Sequence, residues 1–156
     1  MKFRTGALVL ALALCACGSI RVIPGTTVVD NKVNREILEV CENYRRALEE
    51  RDPEKLFTLA SPNYFEDSGT PLADDDYGYE GLKQVLQTRL QALRSVRYLV
   101  EYRKISVHGG HAEVDIRYDA SFQMATAMGD RWERKQSDKR ITLEKDGSRW
   151  MITRGM

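Results

Sequence analysis

Residues 98–118 have the sequence YLVEYRKISVHGGHAEVDIRY, in which apolar and polar side chains alternate on both sides of Gly109-Gly110. This alternation predicts β-strands, and a Gly-Gly pair between two such runs predicts a two-residue hairpin turn. The turn pairs His108 with His111, Val107 with Ala112, Ile105 with Val114, and Lys104 with Asp115. A change of apolar parity between Ile105 and Tyr102 predicts a β-bulge near Arg103.

A second hairpin pattern lies near the C-terminal end, where Asp146-Gly147 separates two further alternating runs. A turn at these two residues pairs Glu144 with Arg149, Leu143 with Trp150, and Ile141 with Ile152. This register predicts that Trp150 is buried beside Leu143. Four long antiparallel strands are therefore expected from residue 97 onward.

Three helical patterns precede these strands. The first starts near Val33 and places the following residues on one face: Val33, Ile37, Val40, Cys41, Tyr44 and Leu48. The second begins at Asp52-Pro53 with Asp52 as its N-cap, and the third is expected from about Tyr79 to Val96. A short strand is expected at Asn63–Asp67. This order predicts an α+β fold, with three N-terminal helices packed on a curved antiparallel sheet of four long strands plus one short strand.

The charge balance limits the classes of partner. The 156 residues carry 24 Lys and Arg against 23 Asp and Glu, without a long basic block. Nucleic-acid binding usually needs a concentrated basic surface, so no nucleic-acid partner is expected.

The N-terminal residues have the pattern of a secretory signal peptide. Lys2 and Arg4 precede an apolar run at residues 7–16 that is too short to span a bilayer. The following segment, LCACGS at residues 14–19, resembles a bacterial lipobox with Cys17 at the modified position. The alternative is an ordinary signal peptide with incidental cysteines. The resemblance implies a diacylglycerol on the Cys17 sulfur and an acylated amine, which together would anchor the chain to a membrane.

This interpretation divides the chain into a lipoprotein signal peptide at residues 1–16, a lipidated tether at residues 17–32, and one domain at residues 33–156. The expected location is the periplasmic face of a membrane. The residue after the modified Cys is Gly18, whereas an inner-membrane retention signal has Asp at that position. The outer membrane is therefore favoured in a Gram-negative source. With Cys15 removed and Cys17 alkylated, Cys41 is the one free thiol, so no intrachain disulfide is expected.

The domain is similar to the NTF2-like superfamily, which includes ketosteroid isomerases and SnoaL-like cyclases. The similarity lies in VCENYRRAL (40–48), the helix restart at Asp52, LFTL (56–59), FEDSG (65–69) and LEKDGSRWMI (143–152). It covers about residues 33–155 and implies a cone formed by helices and a curved sheet. Enzymes, binding modules and subunit adaptors all use this fold, so the resemblance alone does not decide the function.

In the isomerase-like members, a Tyr of the first helix donates to a developing enolate oxygen and an Asp after the second helix moves the proton. The resemblance makes Tyr44 and Asp67 the catalytic candidates. Asp67 shares strand parity with Phe65, so both point into the cone if Phe65 does. The alternative is that Tyr44 is a core tyrosine and Asp67 a turn residue. The expected pocket is lined by Tyr44, Phe65, Asp67, Tyr102 and Tyr118.

The catalytic set lacks a second acid. The family pattern places one on the third long strand, but the inward parity of that strand runs through Lys139 and Ser137 and leaves Asp138 outward. An oxyanion site without that acid would lose a donor usually worth about 3 kcal/mol. This absence favours a protein without catalytic activity.

No metal or cofactor is expected. His108 and His111 face each other at a hairpin tip but have no local third ligand. The acidic run at residues 74–76 lacks the Gly and Glu positions of a calcium-binding EF-hand loop. Cys41 lies on the apolar helix face without an adjacent His, which is typical of a core residue.

Two functions remain. The first is a membrane-anchored, non-catalytic module of the cell envelope that binds a small apolar molecule or docks an envelope protein. The second is an isomerase, cyclase or dehydratase that uses Tyr44 and Asp67. A homodimer through the outer sheet face is a further expectation, and that face includes Trp132 if its side chain points outward.

Overall fold

A computed structural model describes residues 21–67 and 75–156. Its elements are α1 (Lys32–Glu50), α2 (Pro53–Leu59), β1 (Phe65–Glu66), β2 (Tyr77–Gly78), α3 (Tyr79–Gln91), β3 (Leu93–His108), β4 (His111–Thr126), β5 (Gly129–Asp146) and β6 (Arg149–Arg154). The last four strands form one antiparallel sheet in the order β3-β4-β5-β6. The predicted α+β architecture is confirmed, with the addition that the short strand β1 pairs with β2 in a separate two-stranded sheet.

Local capping sets the bounds of the first two helices. The Asn31 side chain accepts a hydrogen bond from the Asn34 amide at 2.8 Å and starts α1. Arg51 ends α1 in the left-handed conformation, with φ of 54°. Asp52 accepts from the Lys55 amide at 3.0 Å and Pro53 occupies the first turn of α2, which confirms the predicted restart.

The third helix is shorter than predicted. It ends at Gln91 rather than near Val96, because Leu93 and Val96 belong to β3, where they pair with Met124 and Phe122. Leu93 and Val96 are three positions apart, a spacing that fits one face of a helix. It also fits the start of a strand whose register shifts between these residues, as it does here between Leu93 and Ser95. The sheet contacts decide in favour of the strand.

The β3–β4 hairpin has the predicted register, including the pairs Lys104 with Asp115 and Ile105 with Val114. The expected bulge is confirmed at Arg103, between Tyr102 and Lys104. Gly109 has a φ of 61°, which fits a hairpin turn with Gly at its first central position.

The predicted register of the closing hairpin is wrong by two residues. Asp146 pairs with Arg149, Lys145 with Trp150, and Leu143 with Ile152, so the turn residues are Gly147-Ser148. Gly147 has a φ of 57° and takes the first central position of the turn, where a left-handed conformation is needed. A register shift of two residues leaves each side chain on the same face of the sheet. Trp150 is therefore buried, as expected.

The core lies between the helices and the concave face of the sheet. Its fully buried side chains include Ile37, Cys41, Leu56, Tyr64, Leu82, Val114, Ile116, Ile141, Leu143 and Ile152. The concave face continues beyond this core along β5, where Ser137 pairs with Tyr118 and Lys139 with Ile116.

Part of the predicted tether packs on the domain. Val22 forms a bridge with Val29, and Ile23 and Val28 are buried. The Thr27 hydroxyl donates to the carbonyl of Arg103 at 2.6 Å, which satisfies an oxygen at the bulge. Residues 22–29 are therefore part of the folded domain, and the expectation of a tether through residue 32 needs this correction. Cys17 and residues 1–20 lie outside the described residues.

The strand β5 extends well past its partner β6. Its residues 129–141 pair with β4, whereas β6 pairs only with residues 142–146 of β5. Within the described ranges, residues 129–141 thus form an edge of the main sheet.

Candidate functional site

Tyr44 lies in the core between α1 and the sheet and is 3% exposed. Its ring packs edge to face on Tyr98 with centroids 6.3 Å apart, and Tyr98 stacks on Tyr118 at 5.3 Å. Burial raises the pKa of Tyr44 well above its ordinary value. These contacts agree with the alternative in which Tyr44 is a core tyrosine.

Asp67 and Phe65 do not point into the cone, contrary to the prediction. Phe65 is 52% exposed, and the Asp67 side chain is 48% exposed with its carboxylate 3.3 Å from Arg154. The physical reason is that the neighbouring positions take the interior side, since Tyr64 is 2% exposed and the Glu66 side chain 22%. Ser68 and Gly69, which the turn interpretation of Asp67 involves, lie outside the described residues.

Glu66 is the acid that the sequence interpretation missed. Its Oε2 accepts hydrogen bonds from the Tyr64 hydroxyl at 2.7 Å and from the Gly155 amide at 2.9 Å. The Tyr64 hydroxyl in turn accepts from the Met156 amide at 3.1 Å. Glu66 therefore ties β1 to the residues after β6. Tyr64 and Glu66 share one face of the short strand, so the buried Tyr64 could have indicated that Glu66 faces the interior. Phe65 is more apolar than Tyr64, however, and its apolar character predicts that Phe65 and Asp67 face the interior instead.

Lys139 occupies the concave face of β5, as its strand parity predicted. Its side chain is half-buried, and burial lowers its pKa to about 8, while the Glu66 carboxylate acts in the opposite direction. The positive charges of Lys135 and Arg89 lower the pKa further. The described residues provide no ion pair or hydrogen bond for the Lys139 ammonium group.

Asp138 points away from the cone, as predicted. Its side chain is 61% exposed and pairs with Arg103 at 3.1 Å and with Arg117 at 3.3 Å on the convex face. The interior positions of β5 on either side of Asp138 are thus Ser137 and Lys139, and neither is an acid.

The two remaining predicted pocket residues lie on the concave side of the sheet. Tyr102 is 4% exposed, and its hydroxyl donates to Glu42 Oε1 at 2.8 Å. Burial and this hydrogen bond raise the pKa of Tyr102 above its usual range. Tyr118 is 9% exposed and forms the outer end of the aromatic stack with Tyr98. The structure thus buries Tyr44, Tyr102 and Tyr118 between the helices and the concave face of the sheet. Phe65 and Asp67 lie at the surface instead.

The other titratable candidates have structural environments. Burial raises the pKa of the Cys41 thiol to about 12, so the thiolate is not accessible near neutral pH. His108 and His111 pair across the turn and are exposed. In the part of the chain that the structure describes, no group of three or more His, Cys, Asp or Glu side chains could hold a metal ion. Asp74 lies outside the described residues.

No helix within residues 21–67 and 75–156 combines the length and the apolar character needed to cross a membrane.

Trp132 lies on the convex face with 51% of its surface exposed, and the Arg97 guanidinium lies 5.9 Å from the centroid of its ring. Trp132 therefore points outward, which is the condition for including it in the expected dimer face, and the homodimer stays a prediction.

Comparison with known proteins gives structural matches only, since no family model and no curated protein matches the chain. A conserved protein from Planctomyces limnophilus superposes with a TM-score of 0.67 at 13% identity, over 79% of this chain and 92% of the other. A protein from Novosphingobium aromaticivorans, provisionally assigned as a scytalone dehydratase, gives 0.65 at 19% identity over 79% and 80%.

A third protein is provisionally assigned as a dehydratase of the NTF2-like family from Streptomyces avermitilis, and it gives a TM-score of 0.64 at 13% identity over 78% and 91% of the two chains. At these identities the similarity establishes the fold and leaves the chemistry open. Together with the three helices on a four-stranded antiparallel sheet, it shows that this chain has an NTF2-like fold.

Proposed function

We propose that this chain is a membrane-anchored lipoprotein whose NTF2-like domain binds a small molecule on the concave face of its sheet, without catalysis by Tyr44 and Asp67. The observation that carries the proposal is the separation of those two residues. Tyr44 is buried in the aromatic core, whereas the Asp67 side chain is half-exposed and lies beside Arg154. A proton shuttle must reach the same bound substrate as the oxyanion donor, and this arrangement does not provide that geometry.

The concave face of β5 supports the binding role. Ser137 and Lys139 share this face with Tyr118 and Ile116, to which they are paired. Ser137 is exposed and Lys139 half-buried, so this part of the face is accessible beyond the packed core. An apolar and aromatic surface with a few polar groups is typical of small-molecule sites.

Membrane anchoring belongs to the proposal because of the lipobox-like segment around Cys17. Acylation at that residue would place the domain on the periplasmic face of a membrane, with the outer membrane favoured in a Gram-negative source. The packed residues 22–29 would then begin the domain close to the lipid anchor.

A second candidate function is an enzyme related to dehydratases. The names of the Novosphingobium and Streptomyces proteins favour it, and Glu66 supplies an interior carboxylate. However, Glu66 already accepts two hydrogen bonds, and the residue opposite Ile116 is Lys139 rather than an acid. We therefore place binding before catalysis.

The binding proposal is tested with naphthalene-2-carboxamide, a neutral aromatic probe, by equilibrium dialysis against the full chain in nanodiscs. Ser137→Trp would fill the concave face and should abolish binding, whereas Gln136→Trp on the convex face of the same strand should retain it. Equal binding by both variants would count against the proposal, and so would a failure of the unmodified chain to bind either this probe or the carboxylate of the same shape.

The enzyme candidate is tested separately with 2-tetralone, an enolisable ketone, in deuterated water. We expect no acceleration of its exchange by the chain. Exchange that is accelerated and then lost in Glu66→Gln would favour the enzyme instead.

A further inference from the structure

Charged side chains from three elements come together beside the exposed part of the concave face. They are Glu66 of β1, Arg89 of α3, and Lys135 and Lys139 of β5, with the Tyr77 ring of β2 among them. Their electrostatic coupling shows their proximity, because the charges of Glu66, Lys135 and Arg89 act on Lys139 and those of Glu66 and Arg89 act on Tyr77.

The charge of this cluster is unbalanced. Three cations face one carboxylate, and that carboxylate already accepts hydrogen bonds from Tyr64 and Gly155 and lies 3.8 Å from Arg154. The Lys139 ammonium group has lost part of its hydration by burial without gaining a partner among the described residues. A half-buried charge that has lost part of its hydration without an ion pair costs free energy, which a bound anion would recover.

Apolar and aromatic side chains share the concave face with Lys139. Its neighbour across the strands is Ile116, followed by Tyr102. On the side of the short sheet, the Tyr77 ring stacks on Tyr64 with centroids 6.4 Å apart and an interplanar angle of 23°. A ligand that fits this site needs an apolar body and one anionic group.

We propose that Lys139 binds the anionic group of the ligand and that the ligand is a small, largely apolar carboxylate. This inference rests on the binding function proposed above and adds the chemical class of the ligand. Arg89 and Lys135 raise the local positive potential, so the site should reject cations and prefer carboxylates over neutral molecules of the same shape.

The test compares naphthalene-2-carboxylate with naphthalene-2-carboxamide, which differ in charge and hardly in shape. The full chain in nanodiscs should bind the carboxylate more tightly. Lys139→Met should reduce carboxylate affinity about tenfold or more, the value expected for loss of a hydrogen bond between charged groups, and leave carboxamide affinity within about twofold. Lys104→Met, on the convex face, should change neither affinity.

The pH dependence provides an independent readout. Carboxylate affinity should be greatest below pH 8 and fall as the pH rises through about 8, since Lys139 then loses its charge. The charged groups that act on Lys139 are Glu66, Arg89 and Lys135. Glu66 and Arg89 also act on the Tyr77 phenol, whose pKa is raised by burial, so that phenol stays neutral over this range. Carboxamide affinity should stay constant.

The outcomes separate the two proposals. If neither probe binds, the binding function itself is wrong. If both bind and Lys139→Met leaves the preference for the carboxylate unchanged, the assignment of Lys139 is wrong while the binding function stands. Lys139→Arg should retain the preference, and this variant keeps the test valid if the methionine variant unfolds on thermal melting.

Discussion

Truncation of Trp150 gives a measurable test of how the closing hairpin is packed. The indole is 6% exposed in the core, and its Nε1–H has no hydrogen-bond partner among the described residues. Trp150→Ala removes a large buried aromatic side chain, which costs about 3 to 5 kcal/mol through lost burial and the cavity that remains. A much smaller effect is expected for Trp150→Phe.

The expectation for Trp150→Phe comes from two opposing effects. The smaller ring loses roughly 1 kcal/mol of apolar burial. It also removes a buried donor without a partner, which otherwise costs about 1 to 3 kcal/mol. The free energy of unfolding of Trp150→Phe should therefore lie within about 1 kcal/mol of that of the unmodified chain.

Urea unfolding followed by circular dichroism measures both free energies of unfolding. The matched control is Trp132→Ala, because Trp132 is 51% exposed and its loss should shift the free energy by less than about 1 kcal/mol. A midpoint that does not move in Trp150→Ala would refute the burial argument. A phenylalanine variant as unstable as the alanine variant would show that the indole N–H has a partner.

Three further substitutions test the C-terminal bend, the anchor and the rejected catalytic pair. Gly155→Ala should destabilise the fold by about 2 to 5 kcal/mol in thermal or urea unfolding, because φ is 89° and a Cβ would overlap the backbone carbonyl of Arg140. Cys17→Ser should release the protein from the membrane fraction and abolish labelling by a palmitate analogue; retained labelling that disappears in Cys15→Ser would transfer the modification to Cys15. Asp67→Asn should leave probe affinity within a few-fold and stability within about 1 kcal/mol, and a larger loss in dialysis would restore a role for that carboxylate.

The sequence predicted the fold best where local and long-range preferences agree. In the hairpin at residues 98–118, the Gly-Gly turn, the alternation and the cross-strand charges all require one register, and the bulge at Arg103 follows from the same parity. In the closing hairpin, two turn placements keep the same faces, so alternation could not separate them. A type I′ turn at Asp146-Gly147 would need a positive φ at both residues, whereas only Gly147 has one, as in a turn with Gly at its first central position.

The site was harder to predict because its decisive contacts join distant parts of the chain. The strand β1 has two residues, too few for a parity argument to be reliable. Its orientation is fixed by hydrogen bonds from Gly155 to Glu66 and from Met156 to Tyr64, about 90 positions apart. Lys139 could be placed on the concave face from its strand alone, but its lack of a partner depends on where Glu66, Arg89 and Lys135 lie around it.

The projecting edge of β5 has a consequence for how copies of the chain behave at high local density. An unpaired strand edge is a template for aggregation, because its amides and carbonyls can pair with another strand. Here eight of the 13 residues at positions 129–141 are charged, and both signs are present. Charged side chains disfavour the stacking of identical edges. If Cys17 carries the proposed lipid anchor and concentrates the protein on a membrane surface, such an edge would protect against polymerisation through the sheet.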